Sequence, residues 1–211
     1  MHRSNKDIQK TTESYNRQAK NYERKWANYL SHTHQRLLDI FDCEAGDRIL
    51  DVSAGTGLFA RKLLETESPF SEMILNDVSD DMLKIARHRF EDHTGIIFSE
   101  YPAEKLGFDN QSYDSVISLN ALHNYNDQQK ALAEICRVLK PGGNFYLLDW
   151  NRKGMFSLIN YCIDLFSNEV IQTKNADEVR KAVNRLSFEI SYVKEWRYSY
   201  WNFFLFKIRK K

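Results

Sequence analysis

The feature that most narrows the fold is local. Ile49-Leu50-Asp51-Val52, an apolar run suited to a buried strand, leads at once into Ser53-Ala54-Gly55-Thr56-Gly57 and then into the helix-forming Leu58-Phe59-Ala60. A strand that passes through a glycine-bearing turn directly into a helix gathers backbone N–H groups at one point. Gly55 and Gly57 carry no Cβ to hold a ligand away from it. Asp51 restricts the ligand further. A pyrophosphate seeks unopposed N–H groups and is repelled by a fixed carboxylate, whereas a ligand bearing an ammonium and a sulfonium is attracted by it.

The rest of the chain repeats this alternation. The stretch 6–42 lacks Gly and Pro, and its aromatics and leucines recur at helical spacing, which predicts one or two helices before the first strand. A helix over 58–67 is followed by a strand over 72–78 that ends in Asp77. Ser79 or Asp80 then caps a helix carrying Met82, Leu83, Ile85 and Ala86. Short strands over 95–98 and 113–119 precede a helix over 127–139, which Lys140-Pro141-Gly142-Gly143 is expected to stop before a fifth strand over 144–150. Runs over 188–197 and 200–208, with a short connection between them, fit an antiparallel hairpin. Phe203-Phe204-Leu205-Phe206 is continuously apolar, as in a strand buried on both faces. The expected fold is α/β: a Rossmann-like doubly wound sheet, mostly parallel, closed by a C-terminal antiparallel hairpin.

Charge and cysteine use exclude several classes. Thirty basic against 29 acidic residues leave a net charge of +1, with no field to hold nucleic acid; the basic end (Lys207, Arg209, Lys210, Lys211) reads as a solvated terminus. Cys43, Cys136 and Cys162 form no Cys-x-x-Cys pair, pointing to a reducing compartment. His32 with His34, and His88 with His93, lack companions at metal-ligand spacing; they read as surface histidines, and no metal is expected. Neither an apolar leader nor an apolar run of the ~20 residues that span a bilayer is visible. A cytoplasmic protein without membrane insertion is the expectation.

Asp51 to Gly57 resembles the first motif of class I S-adenosylmethionine (SAM)-dependent methyltransferases, an acid opening a run of alternating glycines, with Ser53 where the family usually has its first glycine. Four further segments share the likeness, in order and spacing, over roughly 39–150. Asp77, 26 positions after Asp51, stands where the family's acid accepts the ribose hydroxyls, and the residues after it, Val78 and Met82, flank the adenine. Tyr101-Pro102-Ala103-Glu104 lies where an acid and an alanine hold the adenine; Pro102 replaces the acid, leaving the Ala103 backbone and Glu104. Ser118 to Tyr125 matches the segment that lines the donor and then reaches the acceptor. Arg137 to Gly143 matches a structural turn.

The resemblance implies one methyltransferase domain over 1–211, with an N-terminal helical lid (1–45), a cofactor-binding core (46–150), a substrate cap (151–187) and the closing hairpin (188–211). SAM is the implied cofactor and S-adenosylhomocysteine its product. The implied contacts are Tyr22, Asp51, Ser53, Ala54, Gly55, Gly57, Asp77, Val78, Met82, Ala103, Glu104, Asn120 and Leu122, with His123 as a general base beside the acceptor. The apolar run 154–166 and the aromatics Tyr15, Tyr22, Trp150, Tyr161, Tyr198 and Trp201 suggest a small aromatic or lipid-like acceptor, methylated by in-line displacement. Two alternatives stand beside this: a nucleotide-dependent oxidoreductase, disfavoured by Asp51 and the hairpin, and a SAM-binding module without turnover. The sequence leaves the oligomeric state open.

Overall fold

The computed structural model describes residues 5–158 and 171–211. Seven strands form one sheet in the order β3-β2-β1-β4-β5-β7-β6. They are β1 (Arg48–Asp51), β2 (Glu72–Asn76), β3 (Ile96–Ser99), β4 (Tyr113–Leu119), β5 (Leu139–Trp150), β6 (Phe188–Tyr198) and β7 (Trp201–Lys210). The first five pair in parallel; β7 enters antiparallel against β5, and β6 closes the edge as its hairpin partner. This is the expected architecture, with the hairpin's second strand on the inside.

Alternation along each strand builds two cores. Leu50, Ile74, Val116, Phe145, Leu147, Phe204 and Phe206 point to one face, covered by α5 (Gln128–Val138) and α6 (Ala176–Val183). Ile49, Met73, Leu75, Ile117, Tyr146, Leu148, Phe203 and Leu205 point to the other. That face is covered by α2 (Ala27–Leu38), α3 (Leu58–Leu64) and α4 (Asp80–Arg89). The continuous run Phe203 to Phe206 is thus buried on both faces, as its lack of polar residues requires.

Two expectations are corrected here. Lys140-Pro141-Gly142-Gly143 does not lie between helix and strand but within β5. Leu139 pairs with Tyr113 and Asn144 with Ser115, so five steps on β5 face two on β4 and the excess residues bulge outward. Gly143 is required there, because a Cβ would lie 2.7 Å from the Asp114 carbonyl oxygen. The basic end is likewise strand rather than solvated tail: Lys207 pairs with Asp42 at 2.7 Å and Lys210 donates to the Leu139 carbonyl.

α1 (Asn5–Lys25) runs across the sheet's C-terminal rim against α4. Three polar pins hold it: Asn124 Nδ2 donates to Tyr15 Oη (2.8 Å), Ser79 Oγ donates to Asn16 Oδ1 (2.5 Å), and Arg89 pairs with Glu23 (2.6 Å). Most of the apolar run 154–166, with Tyr161 and Cys162, lies outside the described residues; Gly154–Leu158 forms a short 3₁₀ turn.

Candidate active site

Beyond the carboxyl ends of β1, β2 and β4, where an α/β sheet places its ligands, a cleft of about 880 Å³ opens beneath α1. The turn from β1 into α3 forms its floor. Gly55 and Gly57 adopt φ of 55° and 73°, whereas Ser53 does not enter the left-handed region, so serine is tolerated where the family pattern has glycine. Its hydroxyl is engaged by the Tyr125 hydroxyl at 3.1 Å, which in turn meets Ser118 Oγ at 2.9 Å. Gly57 serves packing instead of ligand contact. Its Cβ would meet Phe90 at 2.6 Å and Leu75 at 3.1 Å, so helix and strand approach only because it is absent.

Asp77 sits at the tip of β2 with each oxygen held by one backbone donor, Gly55 N–H at 2.8 Å and Ser79 N–H at 2.9 Å. Burial nonetheless pushes its carboxyl up to about 6. Asp51, 2% exposed at the tip of β1, has only a long bond from Ser53 N–H, at 3.4 Å. Burial, with the nearby charge of Asp77, raises it to about 7. Neither has an ion-pair partner among the described residues. A buried carboxylate beside a half-buried one, without a cation among the described residues, makes a site that a positively charged ligand would relieve.

Of the residues the sequence singles out, Tyr22, Ser53, Gly55, Asp77, Val78, Met82, Ala103, Glu104 and Asn120 line the main cleft. Asp51 and Ala54 line a side cavity of about 390 Å³ that shares Tyr22, Ser53, Gly55, Leu119 and Asn120 with the main cleft as lining residues. Glu104 also has a local duty, since its Oε1 accepts from the backbone N–H of Asn126 (2.6 Å) and Asp127 (3.0 Å) at the entry to α5. Asn120 takes a left-handed φ of 56° and turns its amide toward α2, accepting from Tyr29 Oη and donating to Thr33 Oγ1, both at 2.9 Å.

Leu122 and His123 do not join the cleft. They lie in a 3₁₀ turn (Leu122–Asn124) that points them inward. Leu122 enters the core under α5. The His123 imidazole is 4% exposed and stacks on Trp150 at 4.1 Å. Its Nδ1 donates to Asp149 Oδ1 at 2.5 Å, while its backbone N–H donates to the other oxygen at 2.8 Å. The carboxylate takes both donors and holds a ring that lies outside the residues lining either cavity. Trp150 and Trp201 are core aromatics packed with Tyr29 and Phe203, and Tyr198 stacks on His32 at 3.8 Å; Tyr15 and Tyr22 alone of the described aromatic candidates face the cleft.

Sequence reasoning missed Tyr101, Asn124, Tyr125 and Asn126 in the main cleft, and Thr56 and His34 in the side cavity. Tyr101, Asn124 and Tyr125 lie within segments it had matched without being given a role, and Asn126 directly follows one. His34, read as a surface histidine, is buried at 6% exposure, and only its place on the apolar face of α2, beside Leu30 and Leu37, hinted at this. Among the described residues no group of three His, Cys, Asp or Glu side chains is placed to hold a metal ion.

Residues 7–176 match the model of a family described as the ubiE/COQ5 methyltransferase family. The chain is 34% identical over 120 residues, 56% of its length, to the ubiquinone/menaquinone biosynthesis C-methyltransferase UbiE of Ectopseudomonas mendocina, covering 47% of that protein. It spans about half the length of the curated relatives it matches. Among solved structures, an S-adenosylmethionine-dependent methyltransferase from Mesorhizobium loti superimposes with a TM-score of 0.73 at 22% identity, over 83% of this chain and 96% of that one. A phosphoethanolamine N-methyltransferase 2 from Haemonchus contortus, solved with phosphomonomethylethanolamine and S-adenosylhomocysteine, does so with 0.72 at 18% identity, over 85% and 52%. At these identities the superpositions speak for the fold.

Proposed function

The chain belongs to the ubiE/COQ5 methyltransferase family, and from that premise we propose that it transfers a methyl group from SAM to a small-molecule acceptor. One observation carries the proposal: buried Asp51 and half-buried Asp77 lie close enough to feel each other's charge, and neither has an ion-pair partner among the described residues. Bound SAM would supply an activated methyl on a sulfonium, together with a cationic ammonium. Asp51 suits the ammonium. Asp77, whose oxygens each retain accepting capacity after one backbone bond, suits the two ribose hydroxyls. Val78, Met82, Pro102 and Ala103 offer a largely apolar slot for a purine. Pro102 removes the family's acid from that slot, and the Ala103 backbone is the contact that remains.

The enzyme's contribution is alignment. Bringing a nucleophile and a methyl into line within a closed cleft is worth up to ~7–11 kcal/mol in well-oriented models. With His123 turned inward, no side-chain base is proposed, and the acceptor is one that reacts as an anion or an electron-rich ring. Tyr15 and Tyr22, edge-to-face at 6.1 Å in the cleft roof, favour an aromatic acceptor. The relatives' name makes a quinol ring carbon the first to test. No helix among the described residues is long and apolar enough to cross a membrane.

Calorimetric titration with S-adenosylhomocysteine and NAD tests the donor site, and incubation with methyl-labelled SAM and quinol analogues, followed by mass spectrometry, tests the acceptor. Binding of S-adenosylhomocysteine alone and a labelled ring carbon are expected. Failure to bind it would overturn the proposal, and binding without transfer to any acceptor would reduce the chain to a donor-binding module.

A further inference from the structure

The side cavity lined by α2 and α3 carries two buried titratable side chains, Asp51 and His34. The His34 ring meets Phe59 edge-on, and its Nδ1 has no hydrogen-bond partner among the described residues despite its burial. Burial, with the positive charges of Lys62 and Arg61 on α3, holds the imidazole down to about 3, so it is neutral at working pH and keeps one N–H to donate. The same two cations that keep a second proton off His34 make its surroundings attractive to an anion. Leu30, Leu58, Phe59 and Leu119 supply apolar walls. A space lined by a carboxylate and by a donor under a positive field is complementary to a zwitterion.

We infer that His34 is a specificity residue of the donor site, its imidazole donating to the carboxylate of the donor's amino-acid end in the cavity it lines with Asp51. This assignment rests on the donor reading above and adds a specificity residue to it. It predicts that the protein distinguishes ligands by their carboxylate. Replacing that group with hydrogen leaves Asp51 its partner but strands the donor of His34.

The experiment is calorimetry on the full chain with two probes: S-adenosylhomocysteine, and its decarboxylated analogue, which keeps the amine. His34→Leu is expected to weaken S-adenosylhomocysteine by about tenfold or more, the loss of one bond to a charged group, and the analogue by no more than about twofold. His34→Gln, which restores an N–H donor, is expected to recover most of the loss. Equal weakening of both probes by His34→Leu, or none, would overturn the assignment while leaving the donor reading intact. A wild-type protein that binds neither probe would overturn both. Should His34→Leu not fold, the imidazole resonances of the wild type decide: one histidine is expected to shift with S-adenosylhomocysteine and not with the analogue, and identical spectra would count against the assignment.

Discussion

Asp51 and Asp149 end neighbouring regions of one sheet, are almost equally buried (2% and 1% exposed), and live in opposite circumstances. Asp149, on β5, accepts from His123 Nδ1, from the His123 backbone and, at 2.6 Å, from the Trp150 backbone. Asp51, on β1, has a single 3.4 Å contact and a second carboxylate for a neighbour. A carboxylate surrounded by donors is a fastening. One that lacks them is half of an interaction whose other half comes from outside. The contrast also separates Asp51 from His123, which the resemblance sets beside the acceptor and which the structure ties to Asp149.

The contrast breaks or holds on stability first. Asp149→Ala leaves the His123 imidazole and two backbone donors buried without an acceptor, and a loss of about 3–5 kcal/mol in urea unfolding is expected. A loss below about 1 kcal/mol would refute the fastening role. Asp51→Asn should do the reverse. Binding of S-adenosylhomocysteine is expected to fall by about 1.5–3 kcal/mol, the worth of a charge-assisted bond, while the unfolding midpoint at pH 8 holds or rises. A destabilised protein with unchanged affinity would move Asp51 into Asp149's class.

The pH response sharpens the same point. A carboxyl raised from 3.8 to about 7 on folding binds protons more tightly in the native state, so its contribution to stability is present below about pH 4 and is lost as the pH rises to about 7. Asp77, raised to about 6, acts in the same direction. Subtracting Asp51→Asn from wild type should therefore show the wild type losing ground between pH 4 and 7, with S-adenosylhomocysteine affinity rising through that window; parallel curves would sink the idea. The smallest effect is expected from Ser53→Gly. Losing the hydroxyl shared with Tyr125 should cost about 0.5–1.5 kcal/mol in thermal unfolding and leave donor affinity unchanged within about twofold.

The strand alternation, the hairpin and the two strand-tip aspartates were legible because each depends on local composition or on a turn that demands particular residues. The direction a side chain takes after its strand ends was not. His123 and Leu122 follow β4 as directly as Asn120 does, yet one 3₁₀ turn sends them to the core. Gly57 carries the right residue for a reason the motif hides, the closeness of Phe90. His34 lines the side cavity with Asp51, 17 positions on, and Tyr125 meets Ser53, 72 positions back, proximities that a single sequence does not encode locally.

The three pins on α1 have a kinetic corollary. On the proposed activity, Asn124, Ser79 and Arg89 tie the helix over the cleft that would admit the donor, so weakening those bonds is expected to speed exchange of S-adenosylhomocysteine. Release of S-adenosylhomocysteine in stopped-flow is expected to quicken with ionic strength as the Arg89–Glu23 pair is screened, and a salt-independent rate would count against α1 as a barrier.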